Sequence, residues 1–452
     1  MSLWSLAQVR DALGVGTILG NGAVVPAALS LDTRALQPGA CFVALRAERD
    51  GHDFAAGAVS KGAAALLVDH ALPLGIPQLV VSDTLAALQA WGAARLAAVR
   101  PRAVFGVTGS VGKTSTKELL AAATGGWKTP GNRNNTLGLP EALATLPAGE
   151  PAAVLEMGMS TPGEIRRLTE IAPPDFGLIT TIGSAHIEYF AEGQEGIAKA
   201  KGELVAGLKP GGAWTHLASD LWSRWIAEQP WAAHVLAVPV GEGADFGWES
   251  VESQGPRGER FVLRTPEYRL PVALKMRGAH QVRNAALAGA VALLAGFDRD
   301  AVAAGLGRAE PEQGRGRLLA LSDGGWLLDE SYNASRDSLL ACAEALLELE
   351  GGEAVAVLGC MRELGTDSLR IHESAGAELK ALGLSRIWVF GTEASSLAAG
   401  FGKGAKAFPD FESLRDDGSG LGAIPAGARI LVKGSRFWRS ERAVDWLLAR
   451  QG

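Results

Sequence analysis

Short apolar runs alternate along this chain with longer stretches of helical periodicity, and the order of the two predicts parallel sheets covered by helices. Up to about Pro101, the runs Cys41-Phe-Val-Ala-Leu45, Ala65-Leu-Leu-Val68 and Gln78-Leu-Val-Val81 precede an alanine-rich helix that ends near Val99. Next come Ala103-Val-Phe105, a glycine-rich turn and a helix through Ala123, followed by the strand-like Ala153-Val-Leu-Glu156 and Phe176 to Ile182. The polar interval from Ser253 to Arg260, with Thr265-Pro-Glu267 after it, reads as an antiparallel excursion or surface hairpin. Beyond it, Trp326-Leu-Leu-Asp329, Ala354 to Leu358, Ile387 to Phe390 and Ile430-Leu-Val432 alternate with helices predicted at Ser338 to Leu349 and Ser440 to Ala449. No fixed-period repeat is present, and Asp416-Asp-Gly-Ser-Gly420 reads as a mobile surface loop. The pattern predicts an α/β protein of three domains: a small α/β domain over 1–101, a central parallel-sheet domain over 102–312, and a Rossmann-like domain over 313–452. The second boundary falls in Glu310-Pro-Glu-Gln-Gly-Arg-Gly-Arg317.

Composition narrows the classes. With 452 residues, 47% of them hydrophobic, the chain can build a core in each domain. No apolar run is long enough to span a bilayer, and Met1-Ser-Leu-Trp-Ser-Leu6 lacks a basic segment leading into an apolar core, so a cytoplasmic location without membrane insertion is expected. Cys41, Cys342 and Cys360 show no C-x-x-C spacing, which leaves neither a zinc site nor a disulfide framework. A net charge of -6 without a basic cluster argues against nucleic acid as partner, while local positive pockets for small anions remain compatible.

Chemistry concentrates first at Gly106-Val-Thr-Gly109-Ser110-Val111-Gly112-Lys113-Thr114-Ser115, a glycine-rich turn between a strand and a helix. Such a turn cradles phosphates: backbone N–H groups and the helix dipole hold the oxygens, Lys113 neutralises charge, and the Thr114 hydroxyl ligates Mg²⁺. Val107 stands where the usual G-x-x-x-x-G-K-[ST] pattern has its first glycine. ATP or GTP is the expected ligand. Glu156 and His186 follow the next strands, so both reach the same sheet edge, as metal ligands or as a cap and a structural histidine. Lys199 and Lys201 begin a helix whose ordinary reading is a solvated basic face, and residue type alone selects neither. Asp329-Glu-Ser-Tyr-Asn333 lies at a strand end, suited either to a ligand across a cleft or to helix capping. Gly278-Ala-His280-Gln-Val-Arg-Asn284 precedes an alanine-rich helix, as a cap or a base-recognition site.

Taken in order, these segments resemble the Mur ligase family of ATP-dependent amide-bond-forming enzymes that build the peptidoglycan precursor. The resemblance is carried by Thr108 to Thr114, Thr129-Pro-Gly-Asn-Arg-Asn-Asn135 with Gly138 and Pro140, Glu156-Met-Gly158, Ala185-His186 and Ala198-Lys-Ala-Lys-Gly-Glu203. It continues through Gly278-x-His280-x-x-x-Asn284, Gly316-Arg317, Asp329 to Ala334, Met361-x-Glu363-Leu-Gly365 and Lys433-Gly-Ser-Arg436. Asp32-Thr33-Arg34 and Asp50-Gly51-His52-Asp53-Phe54 are similar to the family's UDP-sugar-binding N-terminal domain.

Within the family the dipeptide-adding type is favoured, which implies UDP-N-acetylmuramoyl-tripeptide and D-alanyl-D-alanine as substrates, joined through an acyl phosphate made from ATP by a monomeric enzyme. The resemblance implies that Lys113 stabilises the γ-phosphate, that Thr114 and Glu156 hold one Mg²⁺, and that His186 helps hold a second. It singles out Lys201 as a lysine that CO₂ can carbamylate into an anionic metal ligand. His280 and Asn284 would lie near adenine and ribose, with Arg317, Asp329, Tyr332 and Asn333 reaching ATP across the cleft. Thr33, Arg34 and the loop from Asp50 through Gly51, His52 and Phe54 would hold the UDP end, and Asn134 and Asn135 the muramoyl-peptide. Two positions depart from the family pattern. Cys360 replaces an aspartate and Thr136 an acidic or amide residue, which touches a C-terminal polar contact and substrate positioning respectively. The rival readings are a ligase adding diaminopimelate, lysine or glutamate, and a P-loop ATPase or switch that forms no amide.

Overall fold

The computed structural model describes residues 3–184, 186–417 and 424–449, so Gly418 to Gly420 of the predicted surface loop lie outside the described residues. Its strands are β1 (Thr17–Leu19), β2 (Leu29–Ser30), β3 (Cys41–Val43), β4 (Ala65–Val68), β5 (Gln78–Val80), β6 (Ala103–Thr108), β7 (Trp127–Lys128), β8 (Ala152–Glu156), β9 (Phe176–Ile179) and β10 (Ala213–Leu217). They continue with β11 (Leu236–Val240), β12 (Gly247–Ser253), β13 (Glu259–Arg264), β14 (Arg269–Leu274), β15 (Arg317–Ala320), β16 (Trp326–Glu330), β17 (Ala354–Gly359), β18 (Arg386–Phe390), β19 (Ala405–Phe408) and β20 (Arg429–Lys433).

Four sheets result. The N-terminal sheet runs β1-β5-β4-β3-β2, with only β1 antiparallel to its neighbour. The central sheet, β11-β10-β9-β6-β8-β7, is parallel throughout. The C-terminal sheet, β15-β16-β20-β17-β18-β19, is parallel except for its edge strand β15.

In the central sheet every β6 position is buried, as a parallel strand covered on both faces requires. Alternation divides its side chains between two cores. Phe105 and Val107 join the core under helices Lys113–Thr124 and Ala279–Leu294, and Val104 joins the opposite one under helices Glu164–Ile171 and Gln194–Ala206. Gly106 leaves room for the latter helix, since a Cβ there would stand 2.5 Å from Leu204 Cδ1. The interval expected as an antiparallel excursion or surface hairpin is the former, a three-stranded antiparallel sheet, β12-β13-β14, with a register shift between Glu249 and Glu252. It is not merely superficial: Phe261, Leu263, Leu270, Val272 and Leu274 bury one face in the same core as helix Ala279–Leu294.

The strand expected through Ile182 stops at Ile179, because the following residues bond the glycine-rich turn instead. Thr180 N–H donates to Thr108 O (3.0 Å), and Thr181 O accepts from Ser110 N–H (2.8 Å).

Helix Thr84–Val99 ties the N-terminal sheet to the central one. Asp83 caps it by accepting from Ala86 N–H (2.9 Å), and Gly92 lets it lie against Pro140, whose Cα would be 2.8 Å from an added Cβ. Gln89 Nε2 donates to Thr136 O (3.1 Å), while its Oε1 accepts from Arg167 Nε (3.1 Å). Helix Arg336–Leu347 begins in a capping box at Ser335, two residues ahead of the start expected from sequence. Among the described residues, no helix is long and apolar enough to cross a membrane.

Candidate active site

β6 lies between β8 and β9, so the segments that leave these three strands meet at one edge of the sheet. A cleft of about 1110 Å³ opens there, walled on one side by the glycine-rich turn, Glu156 and His186, and on the other by residues of the C-terminal sheet. Gly112 caps the helix Lys113–Thr124 in the left-handed region (φ 86°) without a side-chain hydrogen bond. The first-turn N–H groups are therefore left for an anion. A side chain at Gly112 would also press on Asn284, whose Oδ1 would lie 2.9 Å from an added Cβ. Lys113 Nζ rests on the turn's own carbonyls, donating to Gly109 O (2.7 Å) and Ser110 O (3.4 Å). Burial lowers its pKa; Glu156 opposes that shift and Arg315 reinforces it. Ser110, Val111 and Ser115 line the same wall.

Thr114 Oγ1 donates to Glu156 Oε2 (2.9 Å), and Asn134 Nδ2 donates to Glu156 Oε1 (2.8 Å). A hydroxyl and a carboxylate thus converge at the open end of a phosphate-binding turn, a donor set that suits a hard divalent cation. Asn135 points its Oδ1 back to Leu137 N–H (3.2 Å) and Gly138 N–H (2.8 Å), opening helix Gly138–Ala144 while its residue lines the cleft. Lys201 is 2% exposed and has no hydrogen bond or ion pair among the described residues. Burial, reinforced by the nearby charge of Lys113, drives its pKa far below that of a free lysine. Lys199 faces outward, paired with Glu192 (2.6 Å) and Glu195 (3.0 Å).

His186 adopts a left-handed backbone (φ 65°), and its Nδ1 pairs across the cleft with Glu363, which is itself left-handed (φ 62°). That pairing is the main reason the Glu363 carboxyl titrates below its ordinary range. Glu363 belongs to the segment Met361-x-Glu363-Leu-Gly365, and nothing local in that sequence points to its contact with His186.

On the C-terminal side, the Tyr332 ring carries the guanidinium groups of Arg315 (3.9 Å to the ring centroid) and Arg436 (5.4 Å). Lys433 Nζ donates to Asn333 O (3.0 Å). His280 is pushed down to about 4 by burial and by the charges of Arg283 and Lys433, which keeps its ring neutral at neutral pH. Asn284 Nδ2 donates to Gln281 Oε1 (3.2 Å) beside the turn.

Two sequence choices stand elsewhere. Arg317 occupies the exposed first position of β15 and does not line the cleft; Arg315, two residues earlier, does. Asp329 is 2% exposed and braces backbone rather than facing the cleft, accepting from Gly314 N–H (3.0 Å), Ser331 N–H (3.1 Å) and Ser331 Oγ (2.6 Å). Arg317 stands opposite Asp329 at the exposed start of the edge strand β15, whereas Arg315 follows Gly314, whose N–H Asp329 holds, and lines the cleft.

The N-terminal residues do not line this cleft. Arg34 forks onto Asp32 (Nε–Oδ1 3.0 Å, NH2–Oδ2 2.7 Å), Thr33 O accepts from Lys61 Nζ (2.8 Å), and Phe54 carries the Arg49 guanidinium at 4.6 Å. His52 is spent on shaping its loop: Nε2 accepts from Asp69 N–H (3.0 Å), which leaves Nδ1–H to donate to Asp50 (2.6 Å). Gly51 abuts the backbone of Leu45, 2.6 Å from an added Cβ.

An open-ended phosphate cradle with an adjoining oxygen-donor pair, faced by a second parallel sheet, defines a P-loop enzyme of the ligase kind, and this chain belongs to the Mur ligase family. The pattern described as the Mur ligase middle domain matches residues 107–292, and that described as the Mur ligase, glutamate ligase domain matches 314–436. The chain is similar to the UDP-N-acetylmuramoyl-tripeptide–D-alanyl-D-alanine ligase of Escherichia coli (strain K12), at 35% identity over 97% of each chain. The protein of that name in Bacillus subtilis (strain 168) is 34% identical over 82% of this chain and 81% of its own. Among solved structures, MurF from Acinetobacter baumannii superposes with a TM-score of 0.88 at 31% identity, covering 99% of both chains. MurF from Thermotoga maritima in complex with ADP gives 0.79 at 29% identity, covering 94% of this chain and 97% of that one.

Proposed function

We propose that this chain joins D-alanyl-D-alanine to UDP-N-acetylmuramoyl-tripeptide. It is an ATP-dependent ligase that forms a C–N bond and releases ADP and phosphate. The terminal carboxylate of the tripeptide takes the γ-phosphoryl group of ATP, and the amine of the dipeptide displaces phosphate from the resulting acyl phosphate. A carboxylate oxygen, otherwise a poor leaving group, departs as phosphate.

Lys113 leaves the carbonyls of Gly109 and Ser110 to meet the γ-phosphate, while the N–H groups after Gly112 hold the remaining oxygens. Thr114, Glu156, His186 and a carbamylated Lys201 would hold Mg²⁺. When bound, Mg²⁺ supplies positive charge that offsets the phosphate oxygens. Lys201 is suited to carbamylation because its buried, unpaired amine favours the neutral form. That amine adds CO₂ to give a carbamate and a released proton. His280, Asn284, Arg315, Tyr332 and Asn333 form the nucleotide's surroundings. Asn134 and Asn135 face the muramoyl-peptide, and Thr33, Arg34 and the loop Asp50 to Phe54 take its UDP end. On this reading the chain works as three units, 1–101, 102–312 and 313–452, as a monomer in the cytoplasm.

The observation that carries the proposal is the Thr114–Glu156 pair at the uncapped helix, with the buried Lys201 close by and a second sheet opposite. Mass spectrometry of a reaction with ATP, Mg²⁺, UDP-N-acetylmuramoyl-tripeptide and D-alanyl-D-alanine tests it. A pentapeptide product, reduced at least about 100-fold in Lys113→Ala, is expected. Phosphate release without that product would move the assignment to another acceptor or to an ATPase.

A further inference from the structure

A buried lysine that this chemistry leaves unused, Lys117, stands one turn beyond Thr114 on the same helix, inside a cluster of charges. Its side chain is 0% exposed, yet it ends in a cation. The ammonium donates to Gly131 O (3.1 Å) and lies 3.4 Å from Glu312 Oε1, 3.4 Å from Glu118 Oε1 and 3.8 Å from Glu156 Oε2. Glu118 is in turn paired with Lys128. A buried ammonium is costly unless it is paired and hydrogen-bonded, and here one group meets a carboxylate of its own helix together with two carboxylates and a carbonyl from three other segments.

Each of those segments carries a piece of the cleft. Gly131 opens the turn that leads to Asn132, Asn134 and Asn135, all cleft-lining, and Asn134 bonds Glu156. Glu312 lies on the connection between helix Arg299–Arg308 and β15, three residues before Arg315. Glu156 ends β8 beside Thr114. Lys117 therefore touches the phosphate helix, the asparagine turn, the strand-end carboxylate and the link to the C-terminal sheet at one point.

We infer that Lys117 is a positioning residue for the ligation, which fixes the asparagine turn and the Glu156 carboxylate relative to the phosphate cradle without touching substrate. The inference rests on the ligase reading above. It locates the effect of losing Lys117 on the muramoyl-tripeptide side of the cleft, because its hydrogen bond to Gly131 O holds the asparagine turn that faces that side, while Lys113 and Thr114 keep hydrogen bonds of their own that do not involve it.

The test compares Lys117→Met, Glu118→Gln and the double variant with the unmodified full-length enzyme. The double variant is included because removing the ammonium alone leaves the Glu118 and Glu312 carboxylates facing each other without the cation between them, which can prevent folding. Turnover, KM for UDP-N-acetylmuramoyl-tripeptide, ADP binding by calorimetry and thermal melting are measured on each. The expected result is a cooperative melt and ADP affinity within about twofold of Glu118→Gln, with kcat/KM for the tripeptide down about 10- to 100-fold in both Lys117 variants that fold. Turnover of the double variant within about threefold of Glu118→Gln would overturn the proposal, as would parallel losses in ADP binding and ligation, the mark of a purely structural role. If the unmodified enzyme forms no pentapeptide, the ligase reading itself falls, an outcome distinct from active enzyme that tolerates loss of Lys117.

Discussion

Lys199 and Lys201 stand two residues apart on one helix, and burial separates their chemistry. Lys199 keeps its charge in water beside two glutamates, which raise its pKa further, whereas Lys201 is sealed in with Lys113 as the nearby charge. The neutral amine is the form that adds CO₂, so only Lys201 is prepared for it. With ¹³C-bicarbonate, NMR is expected to show a carbamate signal in the unmodified enzyme and in Lys199→Ala that disappears in Lys201→Ala. The latter is expected to lose at least about 100-fold in turnover. Full activity with no carbamate signal in the unmodified enzyme would refute this. The sequence resemblance chose Lys201, but its residues alone could not, because two lysines in one helical turn look alike until the packing of Leu204 against Gly106 fixes the helix on the sheet. Arg315 and Arg317 show the same limit from the other side. Both flank Gly316, and only the folded chain separates them, with Arg317 on the exposed edge strand β15 and Arg315 in the Asp329-held turn that lines the cleft.

Among the elements, the turn after β6 is the most constrained. Gly109 has φ 148°, and a Cβ there would collide with Thr180 Oγ1, the hydroxyl that also bonds Val111 O. Gly109→Ala therefore carries strain of about 1 to 3 kcal/mol, on top of the collision. The expected outcome is ADP affinity reduced at least about tenfold together with a lower melting temperature, since about 1.4 kcal/mol is a factor of ten. Adding Thr180→Ala removes the hydroxyl and should recover part of the loss. Calorimetric titration showing unchanged ADP binding in Gly109→Ala would contradict this account of the turn. The strand–turn–helix unit was legible in the sequence because its signals are local: a buried apolar run, glycines and a helix former follow one another directly. The end of β9 was not, because Thr180 and Thr181 look like strand residues and are diverted only by hydrogen bonds to a turn about seventy positions earlier.

At the scale of the whole molecule, direct contacts already join the two walls of the cleft. The pair His186–Glu363 crosses it, with both residues held in left-handed backbone, and Gly183 leaves room for Asp337, whose Oδ2 would be 3.0 Å from an added Cβ. An acyl phosphate needs water excluded, so the C-terminal sheet is expected to draw toward the P-loop once all substrates are present. Small-angle scattering should then report a smaller radius of gyration with a non-hydrolysable ATP analogue, tripeptide and dipeptide together than with none. An unchanged radius would count against closure. By itself the sequence determined the parallel α/β layout, the phosphate-binding turn and the order of the family's segments, because apolar runs, glycines and short motifs act through near neighbours. The tertiary structure alone decided that Lys201 is buried, that Arg315 rather than Arg317 enters the cleft, that Asp329 serves backbone, and that Glu363 and Lys117 meet catalytic-wall residues. Those outcomes depend on strand register and on the approach of segments far apart in the chain, and burial and charge pairing exist only once that approach is made.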